Sequence, residues 1–445
     1  MEKLNVVQMG AAEAAKAIRE GRITSEELVN ACLAQIEAHE EKIGAWAHLD
    51  PDLALSQARD ADLAREEGKA LGSLHGVPVG VKDIFDTHDM PTEDGTPLHA
   101  GRQPVNDATV VSFLREAGAV IMGKTVSTEL ACYGPGKTAN PHDPGRTPGG
   151  SSSGSAAAVA AYMVPLAVGT QTNGSVIRPA SYCGVRGFKP THGRISRHGV
   201  LPLSRPLDQI GVFGRSVEDV ATIAERLMIY DELDPDMRIR SRPNLVETAL
   251  DEPPVTPHLA FVKTPVWDQA DEDIQGAFAE LAEQFGEEIT EEELPAFFKG
   301  AVEWHRTVME ADLARNLQED YERGKDKISA TLREMIERGQ KVLAVDYNRA
   351  VENKLMLNGM LREIFEKYDA IITPAATGEA PVGLDSTGSP IFCTLWTLCG
   401  TPAITLPLLE GSNGMPIGIQ LVGPVGDDAR LLRTARWLEG AAGTQ

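Results

Sequence analysis

Residues 147–161 read TPGGSSSGSAAAVAA: two glycines, three consecutive serines, a glycine, a fourth serine and an alanine-rich run. Serine mixed with glycine is ordinarily the composition of a flexible linker. Here it runs straight into strong helix formers, so the segment is a hinge, a phosphate cradle or part of a catalytic centre.

A phosphate cradle needs Gly-x-x-x-x-Gly-Lys followed by Ser or Thr. The nearest match, ACYGPGKT at 131–138, has Ala131 in place of the first glycine, and the ANPHDPG after it cannot open a helix. Gly150-Ser151-Ser152-Ser153-Gly154 does fit the Gly-x-Ser-x-Gly of an esterase elbow. That elbow follows a strand and needs a histidine far downstream. NPHDPGRTPGG is no strand, and beyond the glycine-rich region only His258 and His305 remain. Both readings fail.

The rest of the chain bounds the answer. Its 445 residues are 42% hydrophobic and 24% charged, ordinary for a soluble globular protein. A net charge of −23 repels nucleic acid and anionic membranes, so neither is an expected partner. The longest apolar run, 156–168, is interrupted by Pro165 and too short for a membrane span. The opening Met-Glu-Lys-Leu-Asn lacks a secretory signal. Cys32, Cys132, Cys183, Cys393 and Cys399 are odd in number without Cys-x-x-Cys spacing, as expected of reduced cysteines in a cytoplasmic protein. No His/Cys/Asp group shows metal-ligand spacing, so no metal is expected.

Periodicity gives the organisation. TSEELVNACLAQIEAHE at 24–40 opens with Thr24 and Glu27 at capping-box spacing and repeats Leu28, Cys32 and Ile36 every four residues, a helix. From about residue 76, short apolar runs such as GVPVGVKDIF, AVIMGKT and YMVPLAVGT alternate with the helical DATVVSFLREAGA and SVEDVATIAERLMIY, an α/β rhythm. From 231 to 300 the composition turns acidic and proline-bearing, read as an exposed variable connection, and a helical stretch runs on to about 368. Strand-like runs return in DAIITPA, TPAITLPL and PIGIQLVGP before a last helix, DDARLLRTARWLEG. The pattern predicts one α/β domain with a sheet built from both chain ends. Its parts are an N-terminal helical part (1–69), a core (70–228), a mainly helical insertion (229–368) and a return to the core sheet (369–445).

Two further stretches complete the reading of the serine segment. GVPVGVKDIFDT places Lys82 just after an alternating strand, and GTQTNGSVIRPAS places Ser175 just after another. Together with Gly-Gly-Ser-Ser they resemble the amidase signature family. Ser151 follows Lys82 by 69 residues and Ser175 follows by a further 24, spacings similar to those of the family's smaller members. The likeness continues through CGVRGFKPTHGRIS, LDQIGVFGRSVEDVA and GTPAITLPL to GMPIGIQLVGP. It spans about residues 70–228 and 369–438.

The resemblance implies a twisted mixed sheet sandwiched between helices on both faces, and a hydrolase of small-molecule carboxamides that needs no cofactor. It implies that Ser175 is the nucleophile, Ser151 the proton relay, Lys82 the base, and the Gly150–Ser151 peptide cis. The oxyanion donors would be the backbone N–H groups of Thr172, Asn173, Gly174 and Ser175. Ser152 is expected to support the site by local hydrogen bonding. The base must be neutral, so burial must lower a lysine pKa of ~10.4 by about 3 units. The neighbouring Asp83 must then point away. The chain departs from the family's usual Gly-Thr-Asp-x-Gly-Gly-Ser at Gln171 and Asn173, and Arg178 stands three residues past Ser175 instead of two. Where aspartate and arginine can pair in the usual pattern, Gln171 must find other partners. Glu129, Tyr133 and Gly134 are candidates for the substrate pocket, and His142 and His192 are expected to be structural. The expected activity is a freestanding amidase giving carboxylate and ammonia or an amine. The alternatives are the glutaminase subunit of a tRNA-dependent amidotransferase and a non-catalytic binding protein. The resemblance also allows a homodimer.

Overall fold

Among residues 5–443, which the computed structural model describes, eleven strands form one sheet. In chain order they are β1 (Trp46–Leu49), β2 (Pro78–Lys82), β3 (Val120–Thr125), β4 (Leu166–Gln171), β5 (Arg186–Lys189), β6 (Gln209–Gly214), β7 (Leu259–Val262), β8 (Ile289–Glu292), β9 (Ala370–Pro374), β10 (Ala403–Glu410) and β11 (Pro416–Val422). Their spatial order is β1-β3-β2-β4-β6-β5-β10-β11-β9-β7-β8. The sheet is mixed: β2 runs parallel to β3 and β4, whereas β10 runs antiparallel to both β5 and β11. The two ends of the chain therefore share one sheet in a single α/β domain, as the sequence predicts.

β2, β3 and β4 are buried along their whole length. Parallel strands covered by helices on both faces are expected to be apolar, which is why the first four residues of each, Pro-Val-Gly-Val, Val-Ile-Met-Gly and Leu-Ala-Val-Gly, carry no polar side chain. Lys82 and Gln171 close β2 and β4. Both therefore stand at the carboxyl ends of parallel strands, where α/β sheets place their ligand crevices. The buried helix Ser153–Ala160 carries only Ser, Gly, Ala and Val, which lets it lie close against its neighbours. At Gly154 a Cβ would sit 2.2 Å from the Ala45 carbonyl oxygen, so no side chain fits there.

The capping box predicted for helix Ser25–Ile43 is formed. The Glu27 N–H donates to Thr24 Oγ1 at 3.0 Å, and the Thr24 N–H to the Glu27 carboxylate at 2.7 Å. The structure differs from the sequence reading at both flanks. The N-terminal part contributes the short strand β1, which pairs with β3. More consequentially, the acidic stretch 231–300 is not only an exposed connection. It supplies β7, the helix Glu272–Phe285 and β8, a parallel unit that extends the sheet beyond β9. β7 is a four-residue buried run too short to stand out among charged neighbours. β8 is an edge strand whose Thr290, Glu291 and Glu292 lie outside the core, a charge pattern that protects edges from further pairing. All five cysteines are free and buried. Among the described residues no helix is long and apolar enough to cross a membrane.

Candidate active site

The serine segment, the end of β2 and the turn after β4 meet. Lys82 is wholly buried, with Nζ donating to Ser151 Oγ at 2.8 Å and to Thr170 Oγ1 at 2.9 Å. Burial lowers its pKa to about 7, against the small opposing influence of Cys132 and Asp208. Asp83, the next residue, turns instead to a second buried lysine: Lys124 Nζ lies 3.1 Å from its carboxylate. Burial pushes the Asp83 carboxyl up to about 6, opposed by the Lys124 ammonium.

The Gly150–Ser151 peptide is cis. Arg178 Nη2 donates to the Gly150 carbonyl at 2.7 Å, and the Thr128 N–H donates to the Ser151 carbonyl at 3.1 Å. Ser152 Oγ bridges to the backbone of β4, donating to the Thr170 carbonyl at 3.2 Å and accepting from the Thr170 N–H at 3.3 Å. These bonds hold the segment against β4.

The turn carrying Ser175 is held by side chains from distant elements. The Gln171 amide oxygen accepts from the Val176 and Ile177 N–H groups at 2.8 and 3.0 Å, capping helix Ile177–Cys183. Its Nε2 donates to Thr397 Oγ1 at 2.9 Å. Thr397 Oγ1 in turn donates to the Asn173 carbonyl at 2.5 Å, and Thr394 Oγ1 donates to Asn173 Oδ1 at 2.7 Å. Asn173 Nδ2 donates to Tyr133 Oη at 2.9 Å. Thr172 Oγ1 donates to Asp208 at 2.7 Å, and its carbonyl pairs with His305 Nε2 at 2.9 Å. Burial raises Asp208 to about 6 and holds His305 neutral, near 4. Among the described residues, the backbone N–H groups of Asn173, Gly174 and Ser175 have no hydrogen-bond partner, and neither does the Ser175 hydroxyl. Of the two links in the expected relay, then, Lys82–Ser151 is formed and Ser151–Ser175 is not.

Ser175 opens on a recess of about 10 Å³ that it lines with Cys132, Tyr133, Gly174, Arg178 and Met309. That is room for about one water-sized group. Tyr133, Asn173, Met309 and Pro390 also line a cavity of about 350 Å³ beside it. A third cavity, about 510 Å³, reaches Thr170 and Thr172.

Of the candidate pocket residues, Tyr133 lines the recess. Glu129 and Gly134 do not: the Glu129 carboxylate accepts from the Ser329 N–H at 2.9 Å, at the start of helix Ala330–Gly339. His142 and His192 each pair one ring nitrogen with a backbone carbonyl, Cys183 and Arg205, away from the recess. His88, Asp89 and Asp107 do bring possible ligand atoms within 4.8 Å, which their sequence spacing concealed. Both carboxylates are bound to Arg115 instead. Asp208, His305, Thr394 and Thr397 carry no local signal in the sequence. Thr170 sits inside a motif the sequence did expose, but its contact with Lys82 depends on strands β2 and β4 lying side by side.

This arrangement has known relatives. The sequence model of the Amidase family matches residues 27–432. In the glutamyl-tRNA(Gln) amidotransferase of Streptomyces avermitilis, the A subunit is 33% identical over 98% of this chain and 96% of its own, and that of Chloroflexus aurantiacus is 34% identical over 97% and 96%. Among solved structures, the native peptide amidase of Stenotrophomonas maltophilia superposes with a TM-score of 0.86 at 26% identity, covering 100% of this chain and 99% of that one. A protein from a vestigial complex that reveals the evolutionary origins of an s-triazine catabolic enzyme gives 0.90 at 27% identity over 97% and 98%. The motifs that led to the buried lysine and the two serines are thus part of a likeness running nearly end to end, and the chain belongs to the amidase signature family, hydrolases acting on amide C–N bonds.

Proposed function

We propose that the enzyme hydrolyses carboxamides through an acyl-enzyme on Ser175, with neutral Lys82 drawing the proton by way of Ser151. The observation that carries this reading is the Lys82–Ser151 hydrogen bond of 2.8 Å, made by a lysine whose burial lowers its pKa to about 7. At neutral pH about half of such lysines are uncharged, where a free lysine would be almost wholly protonated.

The steps follow from that geometry. Substrate binding brings Ser175 Oγ and Ser151 Oγ into line, since catalytic hydrogen bonds often tighten only in the complex. Ser175 attacks the carbonyl carbon and passes its proton to Ser151, as Ser151 passes its own to Lys82 Nζ. The carbonyl oxygen becomes an oxyanion facing the N–H groups of Asn173, Gly174 and Ser175, with that of Thr172 beside them. Main-chain donors fixed before the reaction stabilise that charge without reorganising. The C–N bond then breaks, and the leaving nitrogen takes the proton back from Lys82 through Ser151. Water repeats the sequence on the acyl-enzyme and releases the carboxylate.

For the biological setting, the comparisons favour the ammonia-supplying subunit over the freestanding enzyme expected from sequence. The relatives named as amidotransferase A subunits match across nearly the whole chain. In that setting glutamine would be the amide, and a second protein would use the ammonia. The test is ammonia release from a panel of amides that includes glutamine, by the chain alone and with whatever co-purifies from its source. Glutaminase activity that rises with a co-purifying protein supports this setting; efficient turnover of other amides by the chain alone supports the freestanding one. Ser175→Ala must abolish turnover and labelling by a fluorophosphonate. Persisting label on Ser152 would instead revive the esterase elbow.

A further inference from the structure

We propose that the cavity lined by Arg194, Arg238 and Arg240 is a second ligand site, built for a small phosphate monoester whose organic part carries a ring. The inference stands apart from the hydrolase reading and uses none of its residues. β5 and β11 both run antiparallel to β10, so the loops that follow them leave the same end of the sheet. Arg194 stands on the loop after β5 and Val425 on the loop after β11, and residues from the segment 228–241 line the rest. The space between them is about 240 Å³. Arg238 and Arg240 both line it while Ile239 between them is 82% exposed, the alternation of an extended segment. Arg240 reaches towards the loop after β11: its Nη1 lies 4.0 Å from where a Cβ on Gly426 would stand.

The three guanidinium groups lack counterparts. Acidic residues outnumber Lys and Arg by 65 to 42 in this chain, so carboxylates are not scarce. Yet among the described residues none of these three side chains makes an ion pair or a hydrogen bond, and Arg194 Nε is buried without a partner. Burying such a donor is costly unless something accepts from it. The carboxylates nearby are committed. Asp236, on the cavity wall, pairs with Arg197 and Arg205 at 2.6 and 2.9 Å. Asp428, within electrostatic reach of Arg194, accepts from the Thr191 N–H and hydroxyl at 2.8 Å each. His192, also on the wall, is kept neutral by burial, which lowers its pKa to about 3. A carboxylate brings two oxygens and one charge to such a site. A phosphate monoester brings three oxygens and nearly two charges, and arginine forks bind them in pairs, so it is the better match for three arginines. The same cavity has an apolar wall in Met228, Tyr230, Met237 and Val425, with Tyr230 left 42% exposed. That is a surface on which a ring attached to the phosphate stacks.

The test is calorimetric titration of the full chain with AMP, adenosine, inorganic phosphate and a short single-stranded RNA. AMP is expected to bind roughly 10-fold more tightly than phosphate, the scale of one stacked base. It is expected to bind roughly 30-fold or more tightly than adenosine, the scale of a desolvated charge pair. Arg194→Met should weaken AMP by about 30-fold, and Arg238→Met or Arg240→Met, at the exposed rim, by about 3-fold each. Arg349→Met, paired with Asp346 outside the cavity, should change nothing. Because Arg194 is half-buried, a second measurement uses the wild type alone. AMP should slow phenylglyoxal modification of Arg238 and Arg240, read by mass spectrometry, and adenosine at the same concentration should not. Phosphate that binds as tightly as AMP overturns the ring-bearing ligand. RNA that binds more tightly than AMP overturns the compact site in favour of an open polyanion surface. AMP that neither binds nor protects the two arginines overturns the site itself.

Discussion

Lys82 Nζ lies 2.8 Å from Ser151 Oγ, with none of the lysine exposed to solvent. The pair is productive only when the amine is neutral, and burial sets that change at about 7. The expected kcat/KM profile therefore rises with pH, close to tenfold per unit below the midpoint, and flattens above about 8. Asp208, held near 6 by burial, adds curvature at the acid end through Thr172. A profile that stays flat between pH 6 and 9 would remove Lys82 from the role of base.

Thr397 ties the Ser175 turn together from the far side. Its hydroxyl accepts from Gln171 and donates to the Asn173 carbonyl, so one atom fixes both the helix cap and the turn. Thr397→Val keeps the shape and removes both bonds. We expect kcat to fall roughly 10-fold, less than the ~100-fold or more that follows loss of an oxyanion donor itself, because here the donors are displaced and not deleted. KM should stay within about 3-fold, the pH midpoint should not move, and Thr397→Ser should recover most of the rate. Equal losses for Val and Ser would mean that the methyl group matters as much as the hydroxyl, so that the two hydrogen bonds alone do not set the rate.

Thr397 also marks the limit of what the sequence discloses. Lys82, Ser151 and Ser175 are readable because each sits in a short motif whose glycines and apolar flanks have a local reason to be there. The Gln171 departure is visible, but its remedy is not: Thr397 lies 226 residues away on helix Ile391–Cys399, and only the sheet order brings them together. His305, on helix Ala301–Asn316, reaches Thr172 across 133 residues, and nothing in AVEWHRTV announces it. Glu129 misleads because an acidic residue near the serine segment looks like substrate recognition, whereas its carboxylate caps a helix. For the fold, long buried strands such as β4 and β11 are plain, and the four-residue β7 and the charged edge β8 are not, since neither repeats a pattern long enough to detect.

A buried neutral lysine also costs stability, with a sign that can be checked. Its folded pKa, about 7, lies below the ~10.4 of the unfolded chain. Between those values the unfolded state binds more protons, so wild-type stability gains from this site as pH rises from 7 towards 10. Lys82→Met has no such site. The Tm of the variant minus that of wild type should therefore be most favourable to the variant near pH 7 and shrink steadily towards pH 10. Lys189, likewise lowered to about 7 by burial, is common to both proteins and cancels. A difference that does not change with pH would mean Lys82 is charged in the folded enzyme.

His99 joins two carboxylates that lie far apart in the sequence, one five residues before it and the other 221 residues after it. Its Nδ1 lies 2.8 Å from Asp94 and its Nε2 2.8 Å from Asp320, so both ring nitrogens must donate, which only the imidazolium can do. The hydrogen bond to Asp94 raises its pKa most; burial opposes it and Asp320 adds to it. The stabilisation is fully present below the unfolded value of about 6.5 and is lost as pH rises through the raised folded value. The other charges facing the cluster are Arg102, 4.0 Å from Asp94, and Arg323, 2.7 Å from Asp320; both keep their charge over this range. What the imidazolium holds is helix Gln318–Gly324 against the loop of Asp94. The Asp94 carbonyl accepts from the Leu130 N–H at 2.8 Å, where Leu130 and Ala131 take φ of 44° and 54°, left-handed values that non-glycine residues adopt only when held. Cys132 and Tyr133 follow directly and line the Ser175 recess. Hydrogen-exchange protection of residues 318–324, corrected for the intrinsic effect of pH, should therefore fall between pH 6 and 9 in the wild type. In His99→Gln it should already be low at pH 6 and change little, because glutamine cannot donate to both carboxylates from a ring's opposite sides. Protection equal in the two proteins at both pH values would show that the helix is held by its other contacts and not by the charged histidine.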